Sequence, residues 1–142
     1  MKSIFKAVTA QLETVAALQW IDEDKGQMNF ERPPVLFPCA LVDIQLPKTT
    51  DLNSKIQNCD AIITVRLAFD FHGNTNSKTP AAAREKSLAY YDVVDEVKKA
   101  LQGWSTAEFN PLSRKSFYQE KRPDAYKVVA IPFATAFRDD NI

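Results

Sequence analysis

Glycine, histidine and cysteine are scarce in this chain of 142 residues: it holds three glycines, one histidine and two cysteines. With so few glycines, neither of the common Gly-rich phosphate loops can be written. His72 is the sole histidine, so a serine or cysteine triad would have to use it, and no G-x-S-x-G stretch accompanies it. Without a second histidine or a close cysteine pair, a metal site would need scattered carboxylates, and no metal or cofactor is expected. Charge of one sign is absent too. Eighteen basic residues balance eighteen acidic ones, which argues against nucleic acid as a specific ligand. The same balance leaves self-association unopposed by net repulsion. No run approaches the ~20 apolar residues that span a bilayer. The first eighteen residues are interrupted by Lys6, Thr9, Gln11, Glu13 and Thr14, unlike the apolar core of a signal peptide. The expectation is a cytoplasmic chain with no membrane partner and no catalytic apparatus.

What is present is an ordinary globular composition, 45% apolar and 25% charged. The length implies one domain, residues 1–142. Cys39 lies within the apolar run Val35–Leu46, where a small buried thiol is expected. Cys59 lies just before the best-patterned strand. A disulfide between them stays open, but a disulfide-stapled scaffold is not indicated.

That strand is 60–71. Ile63, Val65, Leu67, Phe69 and Phe71 fall on one face of an extended chain, and Thr64, Arg66 and Asp70 on the other, with Ala68 between. Strict alternation predicts one buried face and one that is wet or partnered. Before it, Ile4, Val8, Leu12 and Val15 recur at helical spacing and predict a helix over 2–18. Trp20 and Ile21 are expected to pack the helix end. A polar connector over 22–34 ends in Pro33 and Pro34, which force extended backbone into a strand over 35–46. Pro38 lacks a donor, so that strand lies at an edge or begins after it. Residues 47–60 read as a long polar loop, of the kind that is functional or disordered in small domains. Residues 72–76 have turn chemistry. A second helix is predicted over 80–102, with Thr79 as N-cap, Pro80 in its first turn and Gly103 as its stop. Ala83, Tyr90, Val94, Val97 and Leu101 share its apolar face. A hairpin over 112–121 and 126–138 follows, with Pro132 demanding an edge position or a bulge.

The order is α-β-β-α-β-β. It predicts an α+β fold: a mainly antiparallel sheet of four or slightly more strands with two helices against it.

Several clusters invite a chemical reading, and each has a plainer one. Glu85, Asp92, Asp95 and Glu96 could serve acid–base work, but a solvated helix face with an Asp95–Lys99 pair accounts for them. Arg114, Lys115, Lys121 and Arg122, with Phe117 and Tyr118 between, resemble a basic-aromatic surface for nucleic acid. Lysines also guard exposed sheet edges, and the balanced charge favours that reading. Leu88 lies among charged residues, as a stray exposed leucine or part of a contact patch. The residues picked as subunit or partner contacts are Thr64, Arg66, Asp70, Leu88, Lys48, Lys55, Arg114 and Lys115.

The layout as a whole resembles the tail terminator, or tail completion, proteins of long-tailed bacteriophages and prophages. The resemblance is carried by Trp20, Pro33-Pro34-Val35, the Ile62–Phe71 strand, Asp92–Leu101 with Gly103-Trp104, and Tyr126–Asp139. It implies a structural virion protein, not an enzyme. Such proteins form a hexameric ring that caps the tail tube and faces the head-tail connector. The partners implied are copies of itself, the tail tube protein and the connector protein. The implied location is the head-proximal end of the virion tail, with the host cytoplasm during assembly. A neck or head-completion protein of the same particle, or a small α+β nucleic-acid-binding domain, are the alternatives.

Overall fold

The alternation over 60–71 becomes the middle of a strand that runs further than expected, Ile56–Phe69. The computed structural model describes residues 1–140. In chain order the elements are α1 (Lys2–Leu12), β1 (Trp20–Glu23), a 3-10 turn (Gln27–Asn29), β2 (Cys39–Asp51), β3 (Ile56–Phe69), α2 (Ala81–Leu88), α3 (Tyr90–Leu101), β4 (Ser113–Arg114), β5 (Tyr118–Gln119) and β6 (Lys127–Asp140). The fold is α+β, with a six-stranded sheet in the order β1-β2-β3-β6-β4 and β5 also on β6. All pairings are antiparallel except β1 with β2.

One face of the sheet carries the main core. Val42, Ile63, Val65, Leu67, Val129, Ile131 and Phe133 project toward Ile4, Val8 and Leu12 of α1 and Val94, Val97 and Leu101 of α3. The helical spacing read from the sequence therefore marks the buried faces correctly, with two exceptions. Ala83 is exposed, and Ser87 is the buried residue of α2. The second face carries a smaller cluster, Met28, Cys39, Leu41, Ala68 and Val128. It is roofed by the β1–β2 crossover, which parallel strands require. Phe37 stacks on Tyr126 there at 5.2 Å.

Five expectations change. The helix over 2–18 ends at Leu12; the Thr14 hydroxyl donates to the Gln11 carbonyl at 2.6 Å and so competes with a further turn. Trp20 and Ile21 are not a helix tail but begin β1; Ile21 packs on the core that holds Leu12 and Val15, and Trp20 is exposed. The strand over 35–46 starts only at Cys39, after Pro38. The loop expected over 47–60 is a continuation of the β2–β3 hairpin, with only residues 52–55 outside the ladder and a register shift between Gln45 and Lys48. The helix over 80–102 divides at Ala89, with Pro80 rather than Thr79 at its N-cap and no side-chain cap bond.

Pro132 lies in a central strand without a bulge in the β3–β6 ladder, and the reason is local. Its carbonyl accepts from the Lys115 N–H at 2.9 Å, so its own donor-less nitrogen also faces the β4/β5 side. There the neighbouring strand is interrupted between Arg114 and Tyr118, and no ladder bond is lost.

Candidate interaction surface

The second face of the sheet is covered only at the cluster end. Beyond it Gln45, Ile62, Thr64, Pro132, Ala134 and Ala136 form a flat, half-exposed field of short side chains. The ladder sets this field: Thr64 pairs with Asp43 and Pro132, and Ile62 with Gln45 and Ala134. The β2–β3 hairpin continues beyond Gln45 as an arm, Lys48–Asp60, mostly exposed and buried only at Cys59, with β6 paired along its β3 half and Leu52 at its tip.

Arg66 stands between the field and the roofed cluster, and the structure corrects its assignment. It is not a free contact residue. Its guanidinium is bidentate to Glu120, with Nε–Oε1 3.1 Å and Nη2–Oε2 2.8 Å, and its Nη1 meets Asp24 at 3.1 Å. Burial works against its charge, but the bonds to Glu120 and Asp24 outweigh it and the pKa is raised. Arg122 continues the network to Asp124 and donates to the Met28 carbonyl at 2.6 Å. These two arginines hold the β1–β2 crossover and the β5–β6 turn onto the sheet. The hydrogen bond from Arg122, first among the causes, holds the Asp124 carboxyl below the usual range.

The other picked residues fall in three places. Thr64 lies in the field, with Lys115 on the far side of Pro132, while Arg114, opposite Phe133, stands on the helix side. Arg114 is half-buried, and its N–H donates to Gln102. Lys48 and Lys55 lie on the arm, Lys48 opposite Asp60. Asp70 is exposed just past the end of β3, and Leu88 is half-buried beside His72 and Tyr91 in a surface hollow. Phe71, expected in the core, is 49% exposed.

Sequence reasoning missed Asp24, Glu120 and the crossover. The one signal for them was an arginine at the centre of a strand whose neighbours are all apolar or uncharged. Cys39 and Cys59 are free and buried. They lie nine ladder positions apart, about 30 Å along the strands, so no disulfide joins them. Burial pushes the Cys39 thiol up to about 11. Among the described residues no group of three or more His, Cys, Asp or Glu side chains is placed to hold a metal ion. No helix there is long and apolar enough to cross a membrane.

No family model matches the chain, and no curated protein matches it. Solved structures do. One is a chain of the "Virion of native gene transfer agent (GTA) particle", which superposes with a TM-score of 0.52 over 92% of this chain and 91% of that chain, at 10% identity. The protein shares its fold with a chain of a virion. The likeness runs over almost the whole of both chains.

Proposed function

We propose that this protein is a structural virion component, and within that class a tail terminator. In this reading it is not an enzyme. It forms a homo-oligomeric ring, a hexamer, that caps the tail tube at the head-proximal end and meets the head-tail connector. The observation that carries the virion role is the near full-length fold match to a chain of a virion particle. The sequence pattern supplies the finer assignment. A closed ring needs two different, complementary patches on each subunit. The outer edges of β2 and β6, each paired over only part of its length, are two different surfaces of this kind on one chain.

The nucleic-acid alternative loses support from the basic hairpin. Of its four basic residues, Arg114, Lys115, Lys121 and Arg122, the last is tied to Glu120, Asp124 and the Met28 carbonyl.

The test is mass in solution combined with negative-stain imaging of the protein mixed with tail tubes. The proposal expects hexamers, or monomers that become rings on tube ends. Protein that stays monomeric and never binds tube ends contradicts it. Binding to the connector without binding to tubes assigns the neck role instead.

A further inference from the structure

Two stretches of the sheet's rim carry main-chain groups that nothing in the described residues engages. The first is the outer edge of β2. β1 pairs with Cys39–Val42 and then leaves, its last bond running from the Asp24 N–H to the Val42 carbonyl. From Asp43 to Leu46 the edge is bare. The register shift before Lys48, together with Pro47, ends the stretch there. A hollow of about 350 Å³ borders it, with Lys2, Phe5 and Ile44 in its lining. The second is the outer edge of β6. Its last bond there runs from the Asn110 N–H to the Ala136 carbonyl. From Phe137 to Asp140 it is bare, beside a hollow of about 460 Å³ lined by 105–111.

We propose that neighbouring copies join through these two edges, with Arg138–Asp140 of one copy laid along Asp43–Gln45 of the next. The inference rests on the ring reading and names its subunit contact. Each bare stretch is four residues long. β2 and β6 are both antiparallel to β3 and so run the same way. In a ring whose strands follow the axis, rotation keeps that sense and the new pairing is parallel. Because main-chain groups point to alternate sides along a strand, Val42, Ile44, Ala136, Arg138 and Asp140 point theirs outward. Setting Arg138 opposite Asp43 then brings the Asp140 N–H to the Ile44 carbonyl, while the Val42 carbonyl keeps its bond from the Asp24 N–H. The Ile44 N–H meets the Arg138 carbonyl.

Charge agrees with that register. Arg138 stands on the open face, as does Asp43, so opposite charges meet. Asp139 stands on the helix side, where Lys2 and Glu23 line the hollow beside Ile44, so the charge match rests on Arg138 with Asp43. Among the described residues Arg138 is bound only to Asp140 of its own chain, at 2.8 Å, and it is largely exposed. The two edges are different surfaces, so the contact is head-to-tail and propagates around a ring.

The test is a cysteine pair across the contact, Gln45→Cys with Asp140→Cys in one chain, oxidised on assembled rings. Adjacent strands hold Cα atoms within disulfide reach. The native thiols are buried and do not interfere. The expected result is a reducible ladder up to the full ring in the double variant, with none in either single variant. In parallel, Arg138→Glu should lower the ring fraction at least tenfold, and Asp43→Arg in the same chain should restore it. Circular dichroism on each variant checks that the subunit still folds. Rings that form without a ladder, and that tolerate Arg138→Glu, overturn the edge contact and leave the ring reading intact. Unmodified protein that makes no rings overturns the ring reading and this contact with it.

Discussion

Arg66 and Glu120 meet through two parallel hydrogen bonds, 3.1 and 2.8 Å, although 54 residues separate them in the chain. The pair fastens the end of β5 to the middle of β3, and Asp24 fastens the crossover to the same guanidinium. The three side chains are 15–27% exposed. Removing the arginine would leave two carboxylates facing each other with little water. Arg66→Ala should cost about 2–3 kcal/mol, less than a fully buried pair. Arg66→Lys should recover only part, because an ammonium cannot bind bidentately. Urea unfolding of the three proteins measures both differences.

Acid should loosen the same corner through Asp124. Its folded pKa lies below the ordinary 3.8, chiefly because Arg122 bonds the carboxylate. A depressed carboxylate contributes stability that is complete above the unfolded value and is lost as pH falls through the folded one. Thermal unfolding followed from pH 5 downward should therefore show a decline that Asp124→Asn flattens. An unchanged acid limb in that variant would contradict the assignment.

The cysteines offer a probe of the two faces. Cys39 lies under the crossover and Cys59 on the helix side. Burial, with the nearby Asp139 and Asp60 adding to it, also raises the Cys59 thiol. Neither should react with a thiol reagent in the folded protein, and both should react after unfolding. The unfolded, non-reduced chain should show two free thiols per molecule.

Core and turn give two more numbers. Phe133 is fully buried at the centre of β6, so Phe133→Ala should cost about 3–5 kcal/mol. Gly103 ends α3 with φ at 75° and open space where a side chain would go. Gly103→Ala should cost about 1 kcal/mol from backbone strain alone. Chemical denaturation resolves both.

How much of this the amino-acid order makes legible differs from element to element. Ile63, Val65, Leu67 and Phe69 declare their face because a half-buried strand writes period two. Val94, Val97 and Leu101 declare theirs at helical spacing. The arm does not declare itself, since Lys48–Asp51 and Gln57–Asp60 are wet on most sides and carry no apolar period. β1 is four residues long and its burial does not alternate, so Trp20 and Ile21 look like the tail of a helix. The break at Ala89 has no Gly or Pro behind it. α2 lies against the 70–80 loop while α3 packs on the sheet, and that choice is tertiary. Arg66 shows its position but not its partners, because Asp24 and Glu120 are distant in sequence.

In the proposed terminator role the protein stops a tail tube and stays at its end. Gold-labelled protein added to tail tubes during assembly tests it most directly, with tube length and label position scored in the same images. The terminator role predicts label at one end of each tube and a shortened, narrow length distribution that depends on the protein. Label scattered along the tubes or absent from them, with lengths unchanged, would contradict it.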